Sequence, residues 1–369
     1  MTNQSAIGNQ QSAIFAAALA LLLIAIAAAA SPQRLPDSFY YERIAAQKIV
    51  PGCSEIHCFR PLVPWVLGLL PPGVTKWKVY AALCNVAAAL AVFDLCLLFG
   101  MTRRASAIAA SLSAVGFGAL YTLFEPFTSD PLMFWLAPLA TRELLRDRFT
   151  SAAALTSIGV LAKEFVVAPS VIVAIADVRA GRWSHGRRAV GVAAVGFGVW
   201  LALHYWLSHA FGYTYGDNKS PRLSTGSYLV FWLTHESVGA SAAALFVEFG
   251  ALYLLIPFGF ARAPAMLRQL SIAAIPIACV FAYVQQPDRA LWNFHYLTSP
   301  LAALALERLP SPLIVAFVAL FGVSNMRIGA QVMAVPAARY AIAATLVLAV
   351  VAIAVRRRPP ADQLPIADC

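Results

Sequence analysis

Charge is what this sequence has least of. Asp, Glu, Lys and Arg make up 12% of its 369 residues while 60% are hydrophobic, against roughly 25% charged in an ordinary soluble domain. With a mean hydropathy of +0.73 spread from end to end, a soluble globular protein is excluded and lipid becomes the solvent for most of the chain. Long polar tracts are equally scarce. The longest before mid-chain covers residues 31–60, so no stretch leaves room for a separate soluble domain. The expected fold is all-α: one polytopic transmembrane domain over residues 1–369, with its chemistry in the bundle or the loops.

Acids are fewer than bases, 17 against 27, for a net charge of +10. In a soluble protein that balance would point to nucleic acid. Here no basic helix or aromatic platform stands outside the bilayer, so no nucleic-acid partner is expected. Lys and Arg instead report orientation, because they collect on cytoplasmic loops. Arg outnumbers Lys by 22 to 5 and alanine is abundant, which fits a GC-rich bacterial genome and hence the bacterial inner membrane.

Cysteine is sparse, at six residues. Cys53 and Cys58 lie in the run Pro-Gly-Cys-Ser-Glu-Ile-His-Cys, which leaves three readings open. An oxidising compartment permits a disulfide just before Arg60. The thiols could also be free, or form with His57 a zinc set one ligand short of the usual four. No metal is assigned. Cys84, Cys96 and Cys279 read as membrane packing.

Apolar runs set the topology. Ile14–Ala30 is read as a retained first helix and not a cleaved signal, since its leader has no basic residue. Residues 31–60 follow as the first external loop. Pro61–Leu70 is too short to span, and Trp77–Leu98, Ala105–Phe124 and Pro131–Ala140 alternate in direction. Basic clusters flank residues 150–178 on both sides, Arg146 and Arg148 before, Arg179 to Arg188 after. One span cannot start and finish in the cytoplasm, so this block is predicted to be a helical hairpin with its tip at Lys163-Glu164. Val190–Leu207 then goes out to a second external loop, placed at 212–239. Later runs, Ala240–Phe260, Leu270–Val284, Leu291–Leu306, Leu313–Val323 and Tyr340–Val355, lead to a cytoplasmic tail at 356–369. The total is about twelve membrane helices, short or re-entrant ones included, with both termini cytoplasmic and fifteen of the 27 basic residues inside.

The external side then gathers the acids Asp37, Glu42, Glu55, Glu125, Asp130, Asp217 and Asp288 beside the cations Arg60, Lys163, Lys219, Arg222 and Arg289. A carboxylate can take a proton from an attacking hydroxyl, and Arg or Lys can grip a phosphate through charge-assisted hydrogen bonds. A charged pair such as Lys163-Glu164 inside a membrane segment should face a polar cavity. Tyr213, Tyr215, Tyr228 and Trp232 suit either an aromatic belt or stacking on a sugar, while Trp200, His204, Tyr205, Trp206 and His209 read as interfacial. Asp94 is expected to contact a neighbouring helix or the cytoplasmic interface.

Pro-Asp37-Ser-Phe-Tyr-Tyr41-Glu-Arg after the first helix, then Phe-Arg60-Pro61-Leu-Val-Pro64-Trp, resembles the first external loop of GT-C integral-membrane glycosyltransferases. The likeness is to the branch with protein mannosyltransferases and the aminoarabinose transferases of lipid A. Thr128-Ser-Asp130-Pro-Leu and Gly159-Val-Leu-Ala-Lys163-Glu164 are similar to that branch's Asp at the start of an inward helix and its hairpin tip. Ser38 stands where a second acid often follows the loop Asp, which leaves the acceptor type open. The resemblance implies a glycosyltransferase that moves a sugar from a polyprenyl-phosphate donor to a lipid, glycan or protein acceptor on the periplasmic face, with inversion. It implies Asp37 and Asp130 as catalytic, with Asp37 the general base or acceptor orienter. Arg60, Lys163 and, by loop position, Arg289 would hold the donor phosphate, and Tyr41 and Glu164 would shape the pocket. The donor is a lipid-linked substrate, no covalent cofactor is expected, and any divalent metal requirement is left open. The main rival reading is a transporter or flippase of a polyisoprenoid or other amphiphilic lipid, whose polar residues should sit near mid-bilayer and on both sides. A surface-polysaccharide polymerase or ligase would need a large late external loop, and none is legible.

Overall fold

The computed structural model describes residues 2–32, 34, 36–214, 228–239, 246, 249–284, 290–326 and 338–356. Among them the α-helices are α1 (Thr2–Ala29), α2 (Pro36–Gln47), α3 (Leu62–Leu67), α4 (Thr75–Leu98), α5 (Arg103–Ala114), α6 (Phe117–Phe124), α7 (Asp130–Leu145) and α8 (Phe149–Val160). They continue as α9 (Ala168–Arg179), α10 (Trp183–Phe211), α11 (Tyr228–His235), α12 (Leu252–Phe260), α13 (Ala265–Val284), α14 (His295–Leu306), α15 (Ser311–Asn325) and α16 (Ala338–Arg356). Short 3-10 turns lie at Ile56–Phe59, Glu164–Val167 and Leu291–Phe294. Four helical stretches are long and apolar enough to cross a membrane, Thr75–Leu98, Arg103–Phe124, Trp183–Phe211 and Ala265–Tyr283, and shorter apolar helices accompany them.

Lipid tails are as apolar as leucine, so helices in a membrane associate through close packing and small residues more than through hydrophobic burial. The interior follows that rule. Ala105, Ala109 and Ala110 of α5, Ala81 and Ala89 of α4, and Ala302 and Ala303 of α14 are almost wholly buried. α4 packs between α5 and α7, α5 reaches across to α14, and α14 lies on α12. The stretch read as one span, Ala105–Phe124, is broken into α5 and α6. At the break the indole of Trp292 fills the space that side chains on Gly116 and Gly118 would occupy.

α8 and α9 both lie along α10. Their outer ends meet at His185, whose ring is edge-on to Phe149 at 5.0 Å and whose Nδ1 hydrogen-bonds Asp177. Their inner ends meet Gly196, where an added Cβ would stand 2.5 Å from Thr156 and 3.5 Å from Val167. Eleven residues of helix separate the two levels, about 16 Å. The chain therefore rises alongside α10 as α8, turns at residues 161–167, and descends as α9 to the level at which it began.

Polar contacts divide the molecule into two ends. The far end carries Arg142–Asp94 at 3.0 Å, Arg182–Asp177 at 2.6 Å, the Nε2 of His185 at 3.1 Å from the Leu144 carbonyl, and a Thr102–Glu307 hydrogen bond. Asp94 thus bonds a neighbouring helix. The near end assembles the C-terminus of α1, α2, α3, the starts of α4 and α7, the α8–α9 turn and the C-terminus of α10. Residues 31–60, read from the sequence as a loop, are largely built: α2 and a 3-10 turn occupy most of them. They are clamped to α10, since Gly52 N–H donates to the Phe211 carbonyl at 2.9 Å and Thr214 N–H to the Cys53 carbonyl at 3.0 Å.

Candidate active site

Three acids begin helical elements at the near end: Asp37 in the first turn of α2, Asp130 at the start of α7, and Glu164 at the start of its 3-10 turn. An N-terminal helix turn favours negative charge, through its dipole and unsatisfied N–H groups. Pro36 and Pro131 help fix where α2 and α7 start, since proline suits a first helical position. Lys163 caps the Glu164 turn in extended conformation, its N–H donating to the Gly159 carbonyl at 2.8 Å. Arg60 follows the Ile56–Phe59 turn. Leu62 N–H donates to the Leu161 carbonyl at 3.1 Å, tying the first loop to the hairpin turn.

Two ion pairs form the centre. Arg60 grips Glu164 with a two-pronged contact, Nε to Oε2 at 3.0 Å and Nη2 to Oε1 at 2.6 Å. Lys163 Nζ bonds Asp130 Oδ1 beside it, with both side chains nearly buried. Taking a charge out of water costs several kcal/mol unless a partner offsets it, so this arrangement of two cations and two anions is what makes such a polar centre tolerable in a lipid-facing bundle. Burial pushes the Glu164 carboxyl up, but the Arg60 charge and its hydrogen bonds outweigh that and hold it below the usual range. Burial likewise opposes the charge on Arg60, yet Glu164 keeps that guanidinium protonated more firmly than an ordinary one.

Tyr41 joins this centre to Asp37. It is 2% exposed, and burial above all, with Asp130 adding to it and Arg60 opposing, pushes its phenol up to about 12. It stays a neutral donor at any physiological pH. Asp37 lies four residues earlier, on the same face of α2. Its Oδ1 is 3.4 Å from His57 Nε2, and the His57 ring is edge-on to Tyr41 at 5.4 Å. Asp37, His57, Tyr41, Arg60, Glu164, Lys163 and Asp130 are therefore contiguous. Ser129 is wholly buried next to Asp130, within reach of the Tyr41 hydroxyl. Glu125, at the end of α6, is buried nearby in the chain.

The structure alters several expectations from the sequence. Arg60 and Lys163, expected to hold the donor phosphate, are paired here with Glu164 and Asp130. Glu164, expected only as pocket lining, is the partner of Arg60. Cys53 and Cys58 form a disulfide with Cα atoms 6.4 Å apart, which removes both thiols from any zinc set with His57. Tyr213 is buried and its hydroxyl accepts from Val50 N–H at 2.9 Å. His204, read from the sequence as interfacial, stacks on Phe59 with ring centres 4.3 Å apart. Arg289, Asp217, Lys219, Arg222, Asp288 and Tyr215 lie outside the described residues, as do the side chains of Tyr228 and Trp232. The role of His57 beside Asp37 is not legible in the sequence, because its only local signal is the pair of flanking cysteines.

An apolar groove of about 780 Å³ shares Leu67 and Tyr80 with the side-chain cluster around Tyr41. Leu67, Leu70, Val79, Leu83 and Trp135 line it, and Tyr80 stands at its edge. The Tyr80 hydroxyl accepts from Leu132 N–H at 3.2 Å, two residues from Asp130.

No protein-family profile and no curated protein sequence matches the chain. Solved structures do. It is similar to ArnT, the aminoarabinose transferase from Cupriavidus metallidurans, in a structure bound to undecaprenyl phosphate, with a TM-score of 0.60 at 17% identity over 94% of this chain and 73% of that one. The apo structure of the same protein matches with a TM-score of 0.59 and 16% identity, over 95% of this chain and 73% of ArnT. An oligosaccharyltransferase from Archaeoglobus fulgidus, tethered to an acceptor peptide, matches with a TM-score of 0.50 at 16% identity, over 91% of this chain and 55% of its own length. The chain has the fold of the GT-C membrane glycosyltransferases.

Proposed function

We propose that this protein is a membrane glycosyltransferase that uses a polyprenyl-phosphate-linked sugar and works at the near end of the bundle. The observation that carries the reading is the juxtaposition of a paired-ion centre with an apolar, membrane-side groove: a phosphate beside Arg60 and Lys163 leaves its isoprenoid tail a dry path past Tyr80. Likeness of fold to ArnT, solved with undecaprenyl phosphate, supports that ligand class. The basic clusters at Arg103–Arg104, Arg142–Arg148 and Arg179–Arg188 lie at the far end, which by the positive-inside rule turns the near end to the periplasm. Nucleotide sugars are absent there, so a lipid-linked sugar is the activated donor at hand.

In the reaction, an acceptor hydroxyl attacks the anomeric carbon. The new C–O bond forms as the bond from that carbon to the phosphate oxygen breaks, polyprenyl phosphate leaves, and the hydroxyl proton passes to Asp37. Backside attack inverts the anomeric carbon. Arg60 and Lys163 stabilise the charge growing on the leaving phosphate, and a preorganised cation in a water-poor site is worth far more than one in water. Asp130 and Glu164 balance these cations when no donor is bound and hand over hydrogen bonds to the phosphate when it enters.

Donor binding tests this. Native mass spectrometry of the purified protein with undecaprenyl phosphate is expected to show one bound lipid, and Arg60→Ala to weaken that binding at least about 10-fold, the scale of one lost charge-assisted contact. Equal binding of uncharged undecaprenol by the wild type would contradict a phosphate site.

A further inference from the structure

We infer that His57 is a positioning residue for Asp37, presented to it by a disulfide-closed loop; the inference rests on the proposed transferase reading. Four observations carry it. His57 Nε2 is 3.4 Å from Asp37 Oδ1, one oxygen of a side chain that is 38% exposed and so open to an incoming acceptor. The imidazole is held on two sides by rings, stacked on Tyr40 at 6.0 Å and edge-on to Tyr41 at 5.4 Å. Its Nδ1 is buried with no hydrogen-bond partner among the described residues. The backbone that carries it is fixed as well: Cys58, next in sequence, is bonded to Cys53, and the Tyr40 hydroxyl donates to Glu55 at 3.2 Å.

These features fix the orientation of the ring. Its Nε2 edge faces the Asp37 carboxylate, so an N–H on that nitrogen points at Oδ1. His57 then holds one carboxylate oxygen and so fixes the other toward the acceptor, without touching the reacting atoms. A contact of 3.4 Å is long for a hydrogen bond, as such contacts often are before substrate tightens the site. Misplacing a catalytic group by about 1 Å can cost about 100-fold in rate, so the loop carries a specific kinetic duty.

The test uses two isosteres. Phe keeps the ring between Tyr40 and Tyr41 but has no N–H; Gln loses the ring but can place an amide N–H near Nε2. The donor is the polyprenyl-phosphate glycoside extracted from a strain lacking this protein, and membranes of that strain supply the acceptor. His57→Phe is expected to lower kcat about 10- to 100-fold with donor KM unchanged and unfolding temperature within a few degrees of wild type. His57→Gln is expected to recover at least about a third of the wild-type kcat. A fully active His57→Phe, or a Gln variant as impaired as Phe at equal stability, would overturn the inference. Wild type and Asp37→Asn run in parallel keep the two claims apart. If the wild type transfers and Asp37→Asn does not, a silent His57 sinks only this inference; if the wild type transfers nothing, the transferase reading itself fails.

Discussion

Lys163 shows how much chemistry one residue type carries by itself. An ammonium inside a membrane hairpin is expensive, and the sequence alone says it must find a polar partner; it does not say which. The fold supplies Asp130, 33 residues away, a pairing that depends on how the α8–α9 turn packs on α7. The same limit hides the Arg60–Glu164 fork, which joins residues 104 apart. Removing one member of a buried pair leaves the other uncompensated, at a cost of about 3–5 kcal/mol. Lys163→Met should therefore lower the unfolding temperature in detergent markedly, and Lys163→Met with Asp130→Leu should recover most of the loss while staying inactive. An unstable double variant would mean that the two charges do not offset each other.

Glu164 gives a pH signature. Its folded carboxyl is held below the ordinary range, so the stability it contributes is present above the unfolded value of about 4.3 and is lost as pH falls through the depressed one. Unfolding temperature should be nearly flat from about pH 8 to about pH 5 and fall below that. Glu164→Gln should be less stable at neutral pH but should lose about one proton's share of the acid slope. An unchanged slope in that variant would place the acid-sensitive group elsewhere.

At the scale of elements, apolar runs are legible in the sequence and their irregularities are not. Trp77–Leu98 and Tyr340–Val355 correspond to α4 and α16 within a few residues, because an uninterrupted run of membrane length has few alternatives. Residues 31–60 read as loop because their composition is polar, yet α2 forms there, anchored by Tyr41 and Ile44, which are buried against the bundle. The α5–α6 break depends on Trp292, far along the chain, and no local pattern announces it. Helix contacts made backbone to backbone are equally silent. A Cβ on Gly259 of α12 would fall 1.6 Å from the Leu301 carbonyl oxygen of α14. Gly259→Ala must push the two helices apart and should destabilise the protein by about 1–3 kcal/mol, read as a lower unfolding temperature; no change would show that the helices can separate freely.

For the whole molecule, the sequence discloses the plan of the site more fully than its contacts. Topology alone assigns Asp37, Arg60, Asp130 and Lys163 to one side, and the fold joins them through Tyr41 and His57 at one end of the bundle. Their pairing, the groove beside them and the duty of His57 arise from tertiary packing, which no spacing along the chain encodes. The most direct measurement is lipid and glycan mass spectrometry of a strain lacking this protein, complemented with wild type or with Asp37→Asn at equal membrane levels. Loss of one sugar increment from an envelope glycan or lipid, with a polyprenyl-phosphate glycoside accumulating, is predicted in the deletion and in the Asp37→Asn strain and is reversed by wild type. An unchanged profile in the deletion, or full rescue by Asp37→Asn, would contradict the account.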